Sequence, residues 1–381
     1  MRDSAFHTPH SALNMSPELA IILTASLTAA ACAIVGTFLV LRKMALIGDA
    51  ISHAVLPGIA IAFFITHSLN SLPMVIGASV LGLVTVALIE GLYRTRRVAE
   101  DSAIGVVFPA LFALGVLLIS FYAGKVHLDT ECVLYGEISF VPFNTLTIGG
   151  VNLGPRSLWV LGAVTLGNLA FITLFWKELK ISTFDPALAA ALGLAPTLIQ
   201  YLLMTAVSAT TVAAFESVGA ILVVAMLIVP AATAYLFTDR LWQMLVLSVV
   251  FGMLSAIGGY FFARAFDVSV AGAMALVTGI FFTGAWLFAP QHGIVAQLIR
   301  RARLSVRFAG ELLVAHMADR NEPALATSAL ARHFRWSNWF GQLVVRDLRR
   351  RELVQLDSLG AMLLTERGHQ HAAEYDATRK R

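Results

Sequence analysis

Charge is what this chain has least of. Only 13% of its 381 residues are Asp, Glu, Lys or Arg, 58% are hydrophobic, and the mean hydropathy is +0.79. Soluble globular domains carry about 25% charged residues, so that class is excluded. Cysteine is almost missing as well. Cys32 and Cys132 lie far apart and form no CxxC pattern, so neither a disulfide framework nor a thiolate metal site is indicated. No HExxH occurs, so the two-histidine centre of a helix-borne metalloprotease is absent. No GxxxxGK[ST] occurs either, so the chain has no phosphate-cradling loop with which to use ATP itself. Residues 1–16 lack the basic start and cleavage pattern of a signal peptide and read as a disordered lead-in.

Long apolar runs dominate what is there. Nine of them are long enough to cross a bilayer: Pro17–Leu41, residues 44–67, Pro73–Tyr93, Ser102–Tyr122, Ser157–Trp176, Thr197–Ala213, Ser217–Phe237, Leu241–Phe262 and Val268–Ala289. Basic residues gather at alternate ends: Arg42 and Lys43, then Arg94, Arg96 and Arg97, then Lys177 and Lys180, then Arg240. The positive-inside rule then puts the N-terminus outside and the C-terminal segment in the cytoplasm. Gly124–Pro155 is too broken for a clean span and reads as an outer loop with a short re-entrant or interfacial helix. The number of crossings around 132–155 is the open point in this count. His127, Asp129 and Glu131 alternate in the same loop and could attract cations.

The second run, MALIGDAISHAVLPGIAIAFF at 44–64, carries ionisable groups where they are expensive. Asp49 and His53 are four residues apart and so share one helix face. A carboxylate at mid-membrane costs roughly 2.5–3.5 kcal/mol on insertion scales, so the pair is expected to face a protein-lined cavity. Pro57 follows His53 by four residues and has no N–H, which leaves the His53 carbonyl without its helical donor. Ser52 could add a hydroxyl. Oxygen with imidazole suits zinc, manganese or ferrous iron, although the spacing alone does not identify a metal. Glu216, placed at an outer turn, is a weaker candidate ligand on the entry side.

Two further stretches stand apart. STFDPALAAALGLAP at 182–196 has Asp185 as an N-cap, Pro186 at the first helical position and Gly193 to close the end. A short stiff helix between two spans, on the basic side, suits transmission of force from a soluble partner. After Pro290 the composition changes, and more than half of all Lys and Arg lie from Arg300 onward. Residues 291–310 read as a basic amphipathic linker able to lie on the inner membrane surface. Residues 311–373 read as a small soluble domain: helix, helix-turn-helix, then two short strands, the winged-helix pattern. Residues 374–381 form a basic tail.

The run at 44–63 closely resembles the signature of the zinc/manganese/iron permeases of ATP-binding-cassette importers. IGVVFPALFALGVLLIS at 104–120, KELKISTFDPALAAALGL at 177–194 and ESVGAILVVAMLIVPAATA at 216–234 agree with the same family, in the same order, over residues 17–290. The resemblance implies an all-α polytopic permease domain at 17–290 in a bacterial inner membrane. It implies no enzymatic activity in this chain and no permanently bound cofactor. A separate ATPase subunit, a metal solute-binding protein and a second permease subunit, identical or a sister chain, are the implied partners, with membrane lipids around them. Asp49 and His53 match the family's pore-lining acid and histidine. Asp185, Pro186, Ala187, Leu188, Ala191, Leu192 and Gly193 match the helix that docks on the ATPase. Residues 311–373 resemble the winged-helix domain of metal-responsive repressors. A regulatory or protein-contact role is expected there rather than nucleic-acid binding, because fold alone does not give function. A membrane-tethered metal sensor is the alternative reading, but it leaves nine spans and the Asp49/His53 pair unexplained.

Overall fold

The computed structural model describes residues 15–66, 71–95, 97–122, 138–148, 151–319, 325–326, 334–358 and 361–379. Among them, nine helices are long and apolar enough to cross a membrane. The chain divides into two compact units, residues 1–287 and residues 288–381.

The first unit is built from α1 (Pro17–Leu41), α2 (Ala45–Thr66), α3 (Ser71–Arg94), α4 (Glu100–Tyr122), α5 (Arg156–Leu174), α6 (Trp176–Phe184), α7 (Pro186–Ala191), α8 (Pro196–Val218), α9 (Ala220–Phe237), α10 (Leu241–Phe266) and α11 (Val270–Phe288). Helix α1 is the axis, packed against α5, α8, α9 and α10. Its alanines make that possible: Ala29, Ala31 and Ala33 are fully buried, so neighbouring backbones approach closely. Between them, Asn168 of α5 donates to the Ala31 carbonyl (3.4 Å) and to the Thr210 hydroxyl of α8 (2.7 Å), a polar tie across three helices. Ser16 caps α1, accepting from the Leu19 N–H at 3.3 Å, with Pro17 at the first helical position. The other end closes through Lys43 at φ 61°, where the Met44 N–H reaches back to the Leu39 carbonyl (2.9 Å) and the chain turns into α2.

Helix α2 packs on α3 and α4. Gly58 and Gly77 face each other across α2 and α3. A Cβ on either would stand 2.6–2.7 Å from the other's carbonyl oxygen. Side chains at this crossing would force the helices apart.

One expectation changes in this unit. Helix α8 continues to Val218, and the reversal comes at Gly219 with φ 79°. Glu216 is therefore in the last turn of a helix and not in a turn between spans; the ESVG segment keeps helical bonding until glycine allows the left-handed residue. Of the stretch before α5, residues 138–148 and 151–155 are described. A 3-10 turn at Ile138–Phe143 leads into a hairpin of β1 (Thr145–Ile148) and β2 (Val151–Pro155), with Ile148 opposite Val151 and Thr147 opposite Asn152. Alternating Thr, Leu, Thr and Ile carry a period of two, which favours strand over helix. His127, Asp129 and Glu131 lie outside the described residues.

The second unit holds α12 (Ile294–Asp319), β3 (Leu325–Ala326), α13 (Asn338–Arg350), β4 (Val354–Leu356), β5 (Ala361–Leu364) and α14 (Glu366–Arg379). The sheet order is β3-β5-β4, antiparallel throughout. Leu313, Val314, Met317, Val344, Leu348, Val354 and Met362 form its core. Ser337 caps α13, accepting from the Phe340 N–H at 3.4 Å. Helix α12 spans residue 310 without interruption. Gly310, within that helix, is buried against Leu348, and a Cβ there would meet that side chain at 3.1 Å. Most of the helix expected at Thr327–Phe334 lies outside the described residues.

Candidate metal pathway

Asp49 and His53 sit one turn apart on α2, with Asp49 Oδ1 3.5 Å from His53 Nε2. Their side chains are 44% and 30% exposed in the isolated chain, although the same helix buries Ile47, Ala50, Ile51 and Ala54 on its other side. The polar face of this span is therefore open. The His53 ring lies 5.1 Å from the ring of Phe108 and 6.3 Å, edge-on, from Phe112, both on α4. These aromatics hold the imidazole beside the carboxylate. They went unremarked in the sequence, yet the signal exists: two phenylalanines four residues apart occupy one face of an apolar helix.

One carboxylate and one imidazole are two ligands, whereas transition metals take four or more. Among the described residues no third His, Cys, Asp or Glu joins the pair in a metal-holding group, Glu216 included. Ser52 is buried, and its hydroxyl donates to the Gly48 carbonyl at 2.9 Å. Pro57 is accommodated within a continuous α2. Helix α4 closes on it at Gly115, where a Cβ would lie 2.7 Å from Pro57 Cδ and 2.8 Å from its nitrogen.

A second polar feature ties the start of α2 to the short helix α7. Asp185 caps α7 by accepting from the Leu188 N–H at 2.9 Å. Gly193, at φ 79°, closes it, with the Leu194 N–H bonded to the Ala189 carbonyl at 3.0 Å. Phe184, Leu188 and Leu192 are left 59%, 48% and 60% exposed. Immediately before α7, Ser182 and Thr183 accept from one guanidinium: Arg42 Nη2 donates to Ser182 Oγ (2.9 Å) and Arg42 Nε to Thr183 Oγ1 (3.1 Å). Burial draws Arg42 below the usual arginine range. These groups, with Glu90, Arg94 and Gln200, line a cavity of about 440 Å³. Arg42 precedes the Asp49/His53 helix, so one side chain joins the start of that helix to the segment carrying the exposed apolar turn.

The chain matches the ABC 3 transport family over residues 18–289. It is 51% identical to the manganese transport system membrane protein MntD of Bacillus subtilis over 296 residues, covering 78% of this chain and all of that one. It is 43% identical to the zinc transport system membrane protein TroD of Treponema pallidum, over 90% of this chain and 94% of that one. An alignment covering nine-tenths of the chain must run well into the second unit. Among solved structures, PsaBC from Streptococcus pneumoniae in complex with Fab matches with a TM-score of 0.60 and 35% identity, over 71% of this chain and 91% of that one.

Proposed function

The chain belongs to the ABC 3 transport family and is the membrane permease of a bacterial importer of manganese, zinc or iron, and from that premise we propose that Asp49 and His53 are the groups the ion touches as it crosses. The chain is not the ATPase; an ATPase subunit and a binding protein are its partners. What carries the proposal is the pair itself, an acid and an imidazole 3.5 Å apart on the open face of a span. Asp49 supplies the negative charge that offsets desolvation of the cation. His53 supplies a borderline nitrogen and must be neutral to bind. Because the described residues of one chain bring only half a ligand set, a second permease subunit, a copy or a sister, contributes the matching pair.

The exposed Phe184, Leu188 and Leu192 support α7 as the helix that docks on the ATPase. The Arg42 bridge supports a route from that contact to α2. In this reading Arg42, Arg94 and the second unit face the cytoplasm and the N-terminus lies outside. Residues 311–373 then serve as a winged-helix regulatory or protein-contact module. The test is ATP-dependent accumulation of manganese, zinc or ferrous iron, each offered alone, in proteoliposomes holding the permease with its ATPase and binding protein. Accumulation that requires ATP and is lost in Asp49→Asn supports the reading. Uptake that survives Asp49→Asn counts against it.

A further inference from the structure

The second unit carries more positive charge on one side than its own acids balance. Arg300, Arg303 and Arg307 recur along α12 at i, i+3 and i+7, hence on one face. Across from them α13 and its C-cap contribute Arg346, Arg350 and Arg351, and the six line one open groove of about 990 Å³ with an apolar floor that includes Val306 and Leu343. Asp347 pairs with Arg351 at 2.9 Å and Glu311 with Arg307 at 3.3 Å. Arg300, Arg303, Arg346 and Arg350 have no ion-pair partner among the described residues. Four uncompensated guanidinium groups along one groove repel one another unless an anion lies between them, and the guanidinium fork matches phosphate oxygens.

We propose that this groove binds the phosphate headgroups of anionic phospholipids and seats α12 on the membrane surface. Two observations favour lipid over nucleic acid. Beside the arginine row, Leu304, Phe308 and Leu312 form an i, i+4, i+8 stripe that is 46%, 65% and 51% exposed. Such a stripe finds nothing to bury it on a DNA backbone, whereas an interfacial helix sinks its apolar side into the headgroup–acyl boundary while its basic side meets phosphate. In addition, only residues 289–293 separate the last candidate span from α12. A connection of that length keeps the helix start within about 20 Å of the end of the span. The inference needs only a membrane-spanning chain, so it stands or falls separately from the metal pathway.

The experiment uses the full chain in detergent, with bound lipid counted by native mass spectrometry after adding dioleoyl-phosphatidylglycerol or dioleoyl-phosphatidylcholine. The variant is Arg300→Gln/Arg303→Gln/Arg346→Gln/Arg350→Gln, and its lysine counterpart keeps the charge. Each basic group near an anionic surface is worth about fivefold, so the glutamine variant should retain phosphatidylglycerol at least about tenfold less. The lysine variant should keep most of it, and phosphatidylcholine should not distinguish the three proteins. On the unmodified protein alone, raising the salt should release the phosphatidylglycerol difference. Equal retention by the glutamine variant, or retention insensitive to salt, overturns the proposal. So does tight binding of inorganic phosphate without lipid, or preference for a short DNA duplex over phosphatidylglycerol.

Discussion

Replacing Arg42 with alanine should uncouple ATP hydrolysis from uptake while leaving the ion site intact. The side chain makes two hydrogen bonds, to Ser182 (2.9 Å) and Thr183 (3.1 Å), and nothing else described ties the start of α2 so directly to the segment before α7. Hydrogen bonds to a charged group contribute about 1.5–3 kcal/mol each. Removing a half-buried guanidinium also relieves its desolvation, which offsets part of that loss. A net loosening of roughly 2 kcal/mol follows, enough to change the ratio of two states by about 30-fold. In proteoliposomes with the ATPase present, ATP consumed per ion should rise on the order of tenfold, while metal bound per assembled complex stays unchanged. Ser182→Ala/Thr183→Val should reproduce the effect, and adding it to Arg42→Ala should change little more, since both remove one interaction. Arg42→Lys keeps the charge but presents its donors from a single nitrogen, so it should fall between. An Arg42→Ala complex with the unmodified ratio of ATP to ion would refute the bridge as a coupling element.

Other consequences can be measured with the same material. Ala190→Pro should cost α7 about 3 kcal/mol, and uptake should fail in a complex whose membrane unit still assembles and melts normally. Gly115→Val places side-chain atoms against Pro57, where a Cβ alone would already stand at 2.7 Å. It should destabilise the α2–α4 packing by about 1–3 kcal/mol, read as a lowered melting temperature, whereas Gly105→Ala, with nothing within 4 Å, should not. Phe108→Ala with Phe112→Ala removes the rings that hold His53. At about 0.5–1.5 kcal/mol per aromatic contact, the apparent KM for the ion should rise several-fold with the spans intact. Ending the chain after Gln291 should leave an assembled membrane unit, since the family match ends at residue 289 and the first compact unit at residue 287; aggregation of that truncation would contradict the division into two units.

The spans were legible because lipid leaves few choices: a run of about 20 apolar residues must satisfy its own backbone, and a helix does so. Asp49 and His53 were legible for the opposite reason, as charge where charge is costly. What escaped the sequence depends on which helix meets which. Phe108, Phe112 and Gly115 are ordinary apolar-helix residues until α4 is laid against α2, and Arg42 reads as an interfacial anchor until Ser182 and Thr183 are brought to it. The Ser52 hydroxyl bonds back to the carbonyl four residues earlier, Gly48, as a serine within a helix commonly does. Glu216 was misplaced because only Gly219, three residues on, can take the conformation that ends α8. The arginine groove could not be read from the chain at all. Its two rows are about 45 residues apart in sequence and meet only through the packing of α12 on α13.

The most direct measurement is ATP-dependent metal uptake, alongside metal bound per complex, by assembled permease–ATPase complexes carrying Asp49→Asn or His53→Ala. Both changes make the span less costly to bury, so insertion and assembly should be normal. The expected result is loss of uptake in each variant and loss of bound metal, with ATPase assembly unaffected. If both variants assemble and transport at the unmodified rate, Asp49 and His53 merely pair with each other, and the ion crosses elsewhere.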